Sequence, residues 1–288
     1  MQASSASAQK DGPNYHDKVG NLRTGTRNTS TLLLGKEGAP NNYKANFGGG
    51  EDSGSGDWVA PRHRHTFEQV RHPLSGDYTI GTDQVLPAGW VAYFPESVYY
   101  GPQVKSGNLV MFSLQFGGTS GQGYWSMRQR KDAFQALAAK GTFNDGVYTW
   151  VDDKGVRHNQ DSAEAVFEQA LGRKTEYPPA RYKDLVMMNP AAFNWRRDKD
   201  QTGVARKHLG TFTERLIKVA LIQVEKGATL SFGEEPAPEV LFLKEGVMTH
   251  DNTSYDRHSA FSTETDDAPV ALRAIEPCEL LYIKTPTF

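Results

Sequence analysis

Apolar positions along this chain recur in short runs, cut by turn residues before they can extend. Residues 28–35 (NTSTLLLG) and 43–47 predict two strands ahead of a glycine-rich turn at 48–50. From 58 to 116 the runs WVAPRHRH, FEQVRHPL, DYTIG, WVAYF and LVMFSLQF follow one another, with turns at 75–77, at 86–89 and after Gly107. Closely spaced strands of this kind predict a sandwich or a small barrel. The period then changes. Residues 126–140 (SMRQRKDAFQALAAK) and 162–173 are rich in helix formers, and each segment opens on a serine able to cap and closes near a glycine, which predicts two helices. Pro178, Pro179 and Pro190 exclude a continuous helix over 177–197 and predict an extended connector. Strand patterning resumes near Leu209 with LIKVALIQV, ATLSF, EVLFLKEG and ELLYIKTP. The predicted organisation is a flexible tail (1–27), a first β-domain (28–120), a helical insertion with connector (121–200) and a second β-domain (201–288). The two β-regions share a signature: Gln69 precedes Gly76 by seven residues in QVRHPLSG, and Glu239 precedes Gly246 by seven in EVLFLKEG. A duplicated unit follows from it.

Composition narrows the functional classes. With 38% hydrophobic and 23% charged residues, 28 Gly and 15 Pro, the chain suits a turn-rich folded protein rather than a disordered one. A net charge of −2 provides no basic field to neutralise phosphates, so a nucleic-acid partner is not expected. The apolar runs, such as those at 32–34 and 219–222, fall far short of the roughly 20 residues that cross a bilayer. Residues 1–13 lack the basic start and apolar core of a secretory signal. The single cysteine, Cys278, excludes an internal disulfide and any multi-cysteine metal site, so a cytoplasmic setting is expected.

The chemistry is concentrated in PRHRHTFEQ. His63 and His65 are separated by one residue, so on a strand both point to one face, and one face of a barrel strand is the lumen. Two inward imidazoles can ligate a metal ion, or one can act as a base while the other orients substrate. This segment resembles the first motif of the cupin superfamily: glycine, five residues, His-x-His, three or four residues, glutamate, six residues, glycine. Here it reads Gly56, His63, His65, Gln69 and Gly76, with the leading spacing one residue longer. LPAGWVAYFPESVYY resembles the second motif, with Pro87 and Gly89 in its turn and Phe94 and Pro95 ahead of the last ligand position. The resemblance implies a mainly β fold of two cupin-type antiparallel barrels (double-stranded β-helices) with a small helical insertion between them. Two positions depart from the pattern. Gln69 stands where the carboxylate belongs, with Glu68 one residue away and toward the opposite face, and Tyr100 stands where the last histidine belongs. Neutral oxygen ligands hold a divalent cation weakly, so the expected cofactor is none or a weakly bound ion.

The favoured expectation is an enzyme that moves protons on a small organic molecule, a carbonyl or carboxylate compound, by elimination, isomerisation or dehydration. As the sugar epimerase branch of the superfamily implies, His63 or His65 would pair with a tyrosine as base and acid. Tyr100, Tyr99 and Tyr93 are the candidates for that acid, although packing is the better reading of Tyr93. Gln69 and Tyr99 would touch substrate. An alternative is a metal-dependent dioxygenase or lyase, with His63, His65 and Gln69 holding Fe, Mn, Ni or Zn. Another is a ligand-binding barrel without turnover. His72 has the opposite parity and is expected outside the lumen, and Arg62 and Arg64 alternate with the histidines and should point outward. Arg71 shares the parity of Gln69 and could hold an anion, unless a bulge or the Pro73 turn exposes it. In the second barrel Gly233 and Glu235 replace the imidazole pair, while His250 and His258 read as surface residues. That barrel is expected to be structural, covering the first or forming a homodimer interface.

Overall fold

The computed structural model describes residues 1–5, 29–49, 58–105 and 108–288. Two β-units each pair a long antiparallel sheet with a four-stranded one. In the first unit the long sheet runs Val186–Met188, Val91–Phe94, Phe67–Ser75, Val110–Gly117, Tyr43–Gly49, Ser30–Leu34. In the second it runs Gln2–Ser4, Ala260–Thr263, Glu239–Glu245, Cys278–Lys284, Ile217–Val224, Val204–Phe212, Arg196–Arg197. The short sheets run Trp58–Ala60, Gln103–Lys105, Tyr78–Gly81, Gln84–Leu86 in one unit and Thr229–Phe232, Val270–Ala274, Met248–His250, Thr253–Tyr255 in the other. The orders match over six strands of the long sheets and all four of the short ones, as the repeated signature predicts, with Arg196–Arg197 an additional edge strand in the second unit. Gln69 pairs with Gln115 and Phe94, and Glu239 pairs in the same way with Lys284 and Thr263. Gly76 and Gly246 close the two equivalent strands with φ of +68° and +93°, where a Cβ would meet Asn108 O at 3.0 Å or Pro277 O at 2.5 Å. Only glycine fits both the dihedral and the space.

The strand Phe67–Ser75 is buried on both faces, which is why its sequence does not alternate apolar with polar. Gln69 and Arg71 face the lumen of the first barrel, and Val70 faces the second barrel. The two long sheets meet in a shared core where Phe112 stacks on Phe242 at 4.4 Å and Tyr93 on Phe212 at 4.3 Å. Each such side chain contributes roughly 1.5–3 kcal/mol by leaving water.

The edges depart from the predicted organisation. Gln2–Ser4 is not tail but a strand on Ala260–Thr263 of the second unit, while residues 6–28 lie outside the described set. From the connector, Val186–Met188 adds to Val91–Phe94 of the first unit. One edge of each long sheet thereby finds backbone partners from a distant part of the chain.

The insertion holds α1 (Met127–Ala138) and α2 (Ser162–Leu171). Ser126 caps α1 in a capping box with Gln129, as its position predicts. α2 is capped by Asp161 rather than Ser162: one carboxylate oxygen accepts from the amides of Ala163 and Glu164, and the helix ends at Gly172. Between the helices lies an unpredicted three-stranded sheet, Gly141–Asn144, Val147–Val151 and Arg157–Asp161, whose core strand VYTWV is β-branched and aromatic. The insertion meets the first barrel where Phe167 packs on Phe67 at 5.7 Å. Among the described residues no helix is long and apolar enough to cross a membrane.

Candidate functional site

His63 and His65 do not sit on a regular strand. They occupy the irregular segment 61–66 between Trp58–Ala60 and Phe67–Ser75, and backbone bonds hold them in place. His63 and Tyr100 exchange N–H···O bonds of 3.0 Å in both directions, and the Ser97 amide donates to His65 O at 2.7 Å. Strand parity does not apply to this irregular segment; the His63–Tyr100 bridge and the bond to His65 O instead bring the two imidazoles side by side. The ring centroids are 4.8 Å apart for His63–His65, 4.6 Å for His63–Tyr100 and 5.9 Å for His65–Tyr100. His65 also stacks on Phe67 at 4.1 Å. His63 Nδ1 lies 2.6 Å from Pro61 O. A carbonyl can only accept, so Nδ1 carries the proton, and in the neutral ring Nε2 is the basic nitrogen. Both imidazoles are partly exposed, while Tyr100 is buried beneath them.

Below the rings runs a polar network. Arg71 donates through Nη2 to Gln69 Oε1 at 2.7 Å and through Nη1 to Tyr78 Oη at 2.5 Å. Gln115 Nε2 donates to the same Gln69 oxygen at 3.1 Å, and Tyr124 Oη donates to Gln115 Oε1 at 2.9 Å. Because guanidinium only donates, the Gln69 amide orientation is fixed, and its Nε2 donates to Tyr100 Oη at 2.6 Å. An N–H aimed at the phenol oxygen stabilises negative charge there. Arg71 also lies over the Phe94 ring at 4.6 Å. Gln69, Tyr100 and the two histidines thus come together as expected. Arg71 joins them in the lumen with no bulge to expose it, and Tyr78, Gln115 and Tyr124 were not anticipated.

Two predicted site residues lie elsewhere. Tyr93 is fully buried on the opposite face, stacked on Phe212 with its hydroxyl toward Glu68, and burial holds its phenol far above the usual range. The cause is register: Gln69 pairs with Phe94, so Phe94 points inward and its neighbour Tyr93 outward. Tyr99 is 46% exposed and sits outside the lumen between the Arg62 and Arg64 guanidinium groups, 4.6 and 4.7 Å from its ring. Those arginines point outward as expected. His72 lies outside the lumen, bonded to Trp90 O at 2.8 Å, and burial depresses its pKa to about 4. His258 is no plain surface residue, since it lies tilted against Phe47 at 4.5 Å and parallel to Phe242 at 6.0 Å. Gly56 lies outside the described residues.

No protein-family model and no curated protein matches the sequence. Solved structures do match in shape. A protein from Nostoc punctiforme provisionally named a dioxygenase aligns over 90% of this chain and 79% of its own, with a TM-score of 0.53 and 10% identity. Streptomyces albus HEPD, with 2-hydroxyethylphosphonate and Fe(II) bound, aligns over 92% of this chain and 72% of its own (TM-score 0.49, 11% identity). Bacillus subtilis oxalate decarboxylase aligns over 93% and 80% (TM-score 0.45, 14% identity). The chain has the bicupin fold.

Within the first cupin barrel, Gln69 does not suit a metal. Its carbonyl oxygen already accepts from Arg71 and Gln115, which occupies both lone pairs, and the guanidinium supplies a fixed positive charge where a cation would have to sit. Among the described residues no group of three or more His, Cys, Asp or Glu is placed to bind a metal ion. Of the three candidate ligands, His63 and His65 remain.

At the positions equivalent to His63, His65 and Arg71 the second barrel carries Gly233, Glu235 and Leu241. Glu239, the counterpart of Gln69, turns its carboxylate onto the amides of Gly233 and Glu235 at 2.8 and 3.0 Å, capping the segment where the first barrel carries its histidines.

Proposed function

We propose that the first barrel catalyses a metal-free proton transfer on a small carbonyl or carboxylate compound, with His63 as the base and Tyr100 as the acid. The observation that carries this reading is their pairing: a backbone bridge, rings 4.6 Å apart, one imidazole tautomer fixed by Pro61, and a phenol oxygen that receives the Gln69 N–H. His63 Nε2 takes a proton from the carbon next to the carbonyl. The C–H electron pair moves toward the carbonyl oxygen, and the Tyr100 O–H protonates that oxygen. Gln69 is a positioning residue that stabilises the resulting phenolate. In an isomerisation His63 returns its proton to the neighbouring carbon while the hydroxyl on the first carbon gives its proton to the Tyr100 phenolate; in an elimination or dehydration His63 protonates the leaving group while the enol O–H returns its proton to Tyr100 and the carbonyl re-forms.

A second reading rests on the His63–His65 spacing and on the dioxygenase name of the Nostoc neighbour. There His63 and His65 would hold Fe, Mn, Ni or Zn weakly, and such an ion, when bound, polarises a substrate oxygen or activates dioxygen. The two readings separate by elemental analysis of protein dialysed against a chelator. Less than one metal ion per chain is expected. Stoichiometric metal retained through dialysis would overturn the metal-free reading, and absence of turnover with any small acid would favour a binding protein.

A further inference from the structure

Three polar atoms inside the first barrel find no partner within the described chain. Arg71 is 5% exposed, and its two Nη groups are engaged by Tyr78 and Gln69, but its Nε–H is buried and unpartnered. Neither of those partners is an acid, so a full positive charge is enclosed without a counter-charge, a costly arrangement unless something negative joins it. Gln103 is completely buried, and both its Oε1 and its Nε2 lack partners. Its direction follows from register: Val104 pairs with the partly exposed Thr79 on the outer face, so Gln103 faces inward with Tyr78.

The second barrel shows what these positions hold when the lumen is only filled. Aligning Gln69 with Glu239 through their matched partners places Arg71 on Leu241 and Tyr78 on Met248. Aligning Thr79–Val104 with Thr249–Arg273 places Gln103 on Leu272. Leu241, Met248 and Leu272 lie together in an aliphatic core with no exposed surface. The same fold therefore closes without polar groups here, and folding does not require Arg71 or Gln103.

We infer that the first lumen binds a small carboxylate bearing a second oxygen on the adjacent carbon, a 2-hydroxy or 2-oxo acid, with the carboxylate on Arg71 and the second oxygen on Gln103. A carboxylate supplies the missing negative charge and accepts from Nε–H. An amide, which both donates and accepts, suits a hydroxyl or keto oxygen equally. The inference rests on the proton-transfer reading only in that it names the substrate class of the same site.

The test uses full-length, chelator-dialysed protein and its melting temperature. Glycolate, lactate, glyoxylate and pyruvate are the probes, with glycolamide and lactamide as uncharged counterparts and propionate lacking the second oxygen, each at about 10 mM to saturate any site tighter than millimolar. The four oxygenated acids should raise the melting temperature, the amides should not, and propionate should bind at least tenfold more weakly. Arg71→Met should abolish the acid-induced shift. Gln103→Leu should weaken binding at least tenfold while the unliganded protein melts at the same temperature or higher, since an unsatisfied amide is replaced by packing carbon. If Arg71→Met fails to fold, Gln103→Leu still decides. Equal shifts from acids and amides, undiminished acid binding in Gln103→Leu, or no shift from any acid would overturn the inference. Acid binding that needs Arg71 and Gln103 but leads to no proton exchange would leave the inference standing and sink only the catalytic reading.

Discussion

The two barrels share a strand order and a register, yet one encloses Arg71, Tyr78 and Gln103 where the other encloses Leu241, Met248 and Leu272. Packing alone is satisfied by the aliphatic version. The polar version costs desolvation that the fold does not demand, and its Arg71 connects through Gln69 to the Tyr100 hydroxyl beside His63 and His65. A duplicated fold thus acts as its own control: what differs between equivalent positions is what the first barrel adds for a ligand.

The sharpest way to break this comparison is at the imidazole. His63→Ala should lower turnover by ~10²–10⁴-fold with little change in melting temperature, whereas Glu235→Ala, at the other histidine-pair position of the second barrel, should leave turnover unchanged. Tyr100→Phe should reduce the rate and keep binding. Steady-state rates read beside thermal melts check all three, and surviving turnover in His63→Ala with a several-degree loss in melting temperature would mark a structural histidine.

Exchanging the lumen residues comes next. Leu241→Arg should cost about 1–3 kcal/mol in denaturant unfolding because the longer side chain overfills a fully packed core, whereas Arg71→Leu should stay within about 1 kcal/mol of wild type. Equal losses in both barrels would contradict the division of roles. A smaller version contrasts Leu272→Ala, expected to cost about 2–5 kcal/mol through the cavity it leaves, with a near-neutral Gln103→Leu.

The least effect is expected at the seam between the barrels. Burial pushes the Glu68 carboxyl up to about 8, while Thr119 donates to it at 2.8 Å and Glu96 lies near. Its pKa is raised on folding, so its stabilisation is present below pH 4.5 and is lost as pH rises through 8. Glu68→Gln should gain on wild type steadily over that window, visible as a flatter melting profile. His72 runs the other way: its pKa is depressed from 6.5 to about 4, so its contribution is present above pH 6.5 and fades as pH falls through 4.

Much of this site was legible in the chain. The common face of His63 and His65 follows from spacing, the exchange of carboxylate for Gln69 and the placement of Tyr100 are what the resemblance to the cupin motifs implies, and Arg71 shares Gln69's parity. Tyr93 packs between the barrels, the better of its two readings, whereas Tyr99 lies outside the lumen, because assigning faces near a turn needs the Gln69–Phe94 pairing, which only the sheet supplies. Gln103 lies in a three-residue strand, and Gln2–Ser4 is no longer, too short for any period to show. The capping oxygen of α2 was assigned one residue late, to Ser162, because Asp161 and Ser162 are both good caps.

The central claim is that the first lumen moves protons without a metal. Chelator-dialysed protein incubated in deuterium oxide with a 2-oxo or 2-hydroxy acid should place deuterium on the carbon skeleton, detected by loss of the C–H proton resonance. That exchange should disappear in His63→Ala and persist in Glu235→Ala. Exchange that vanishes on dialysis and returns only with added Fe, Mn, Ni or Zn would contradict the account.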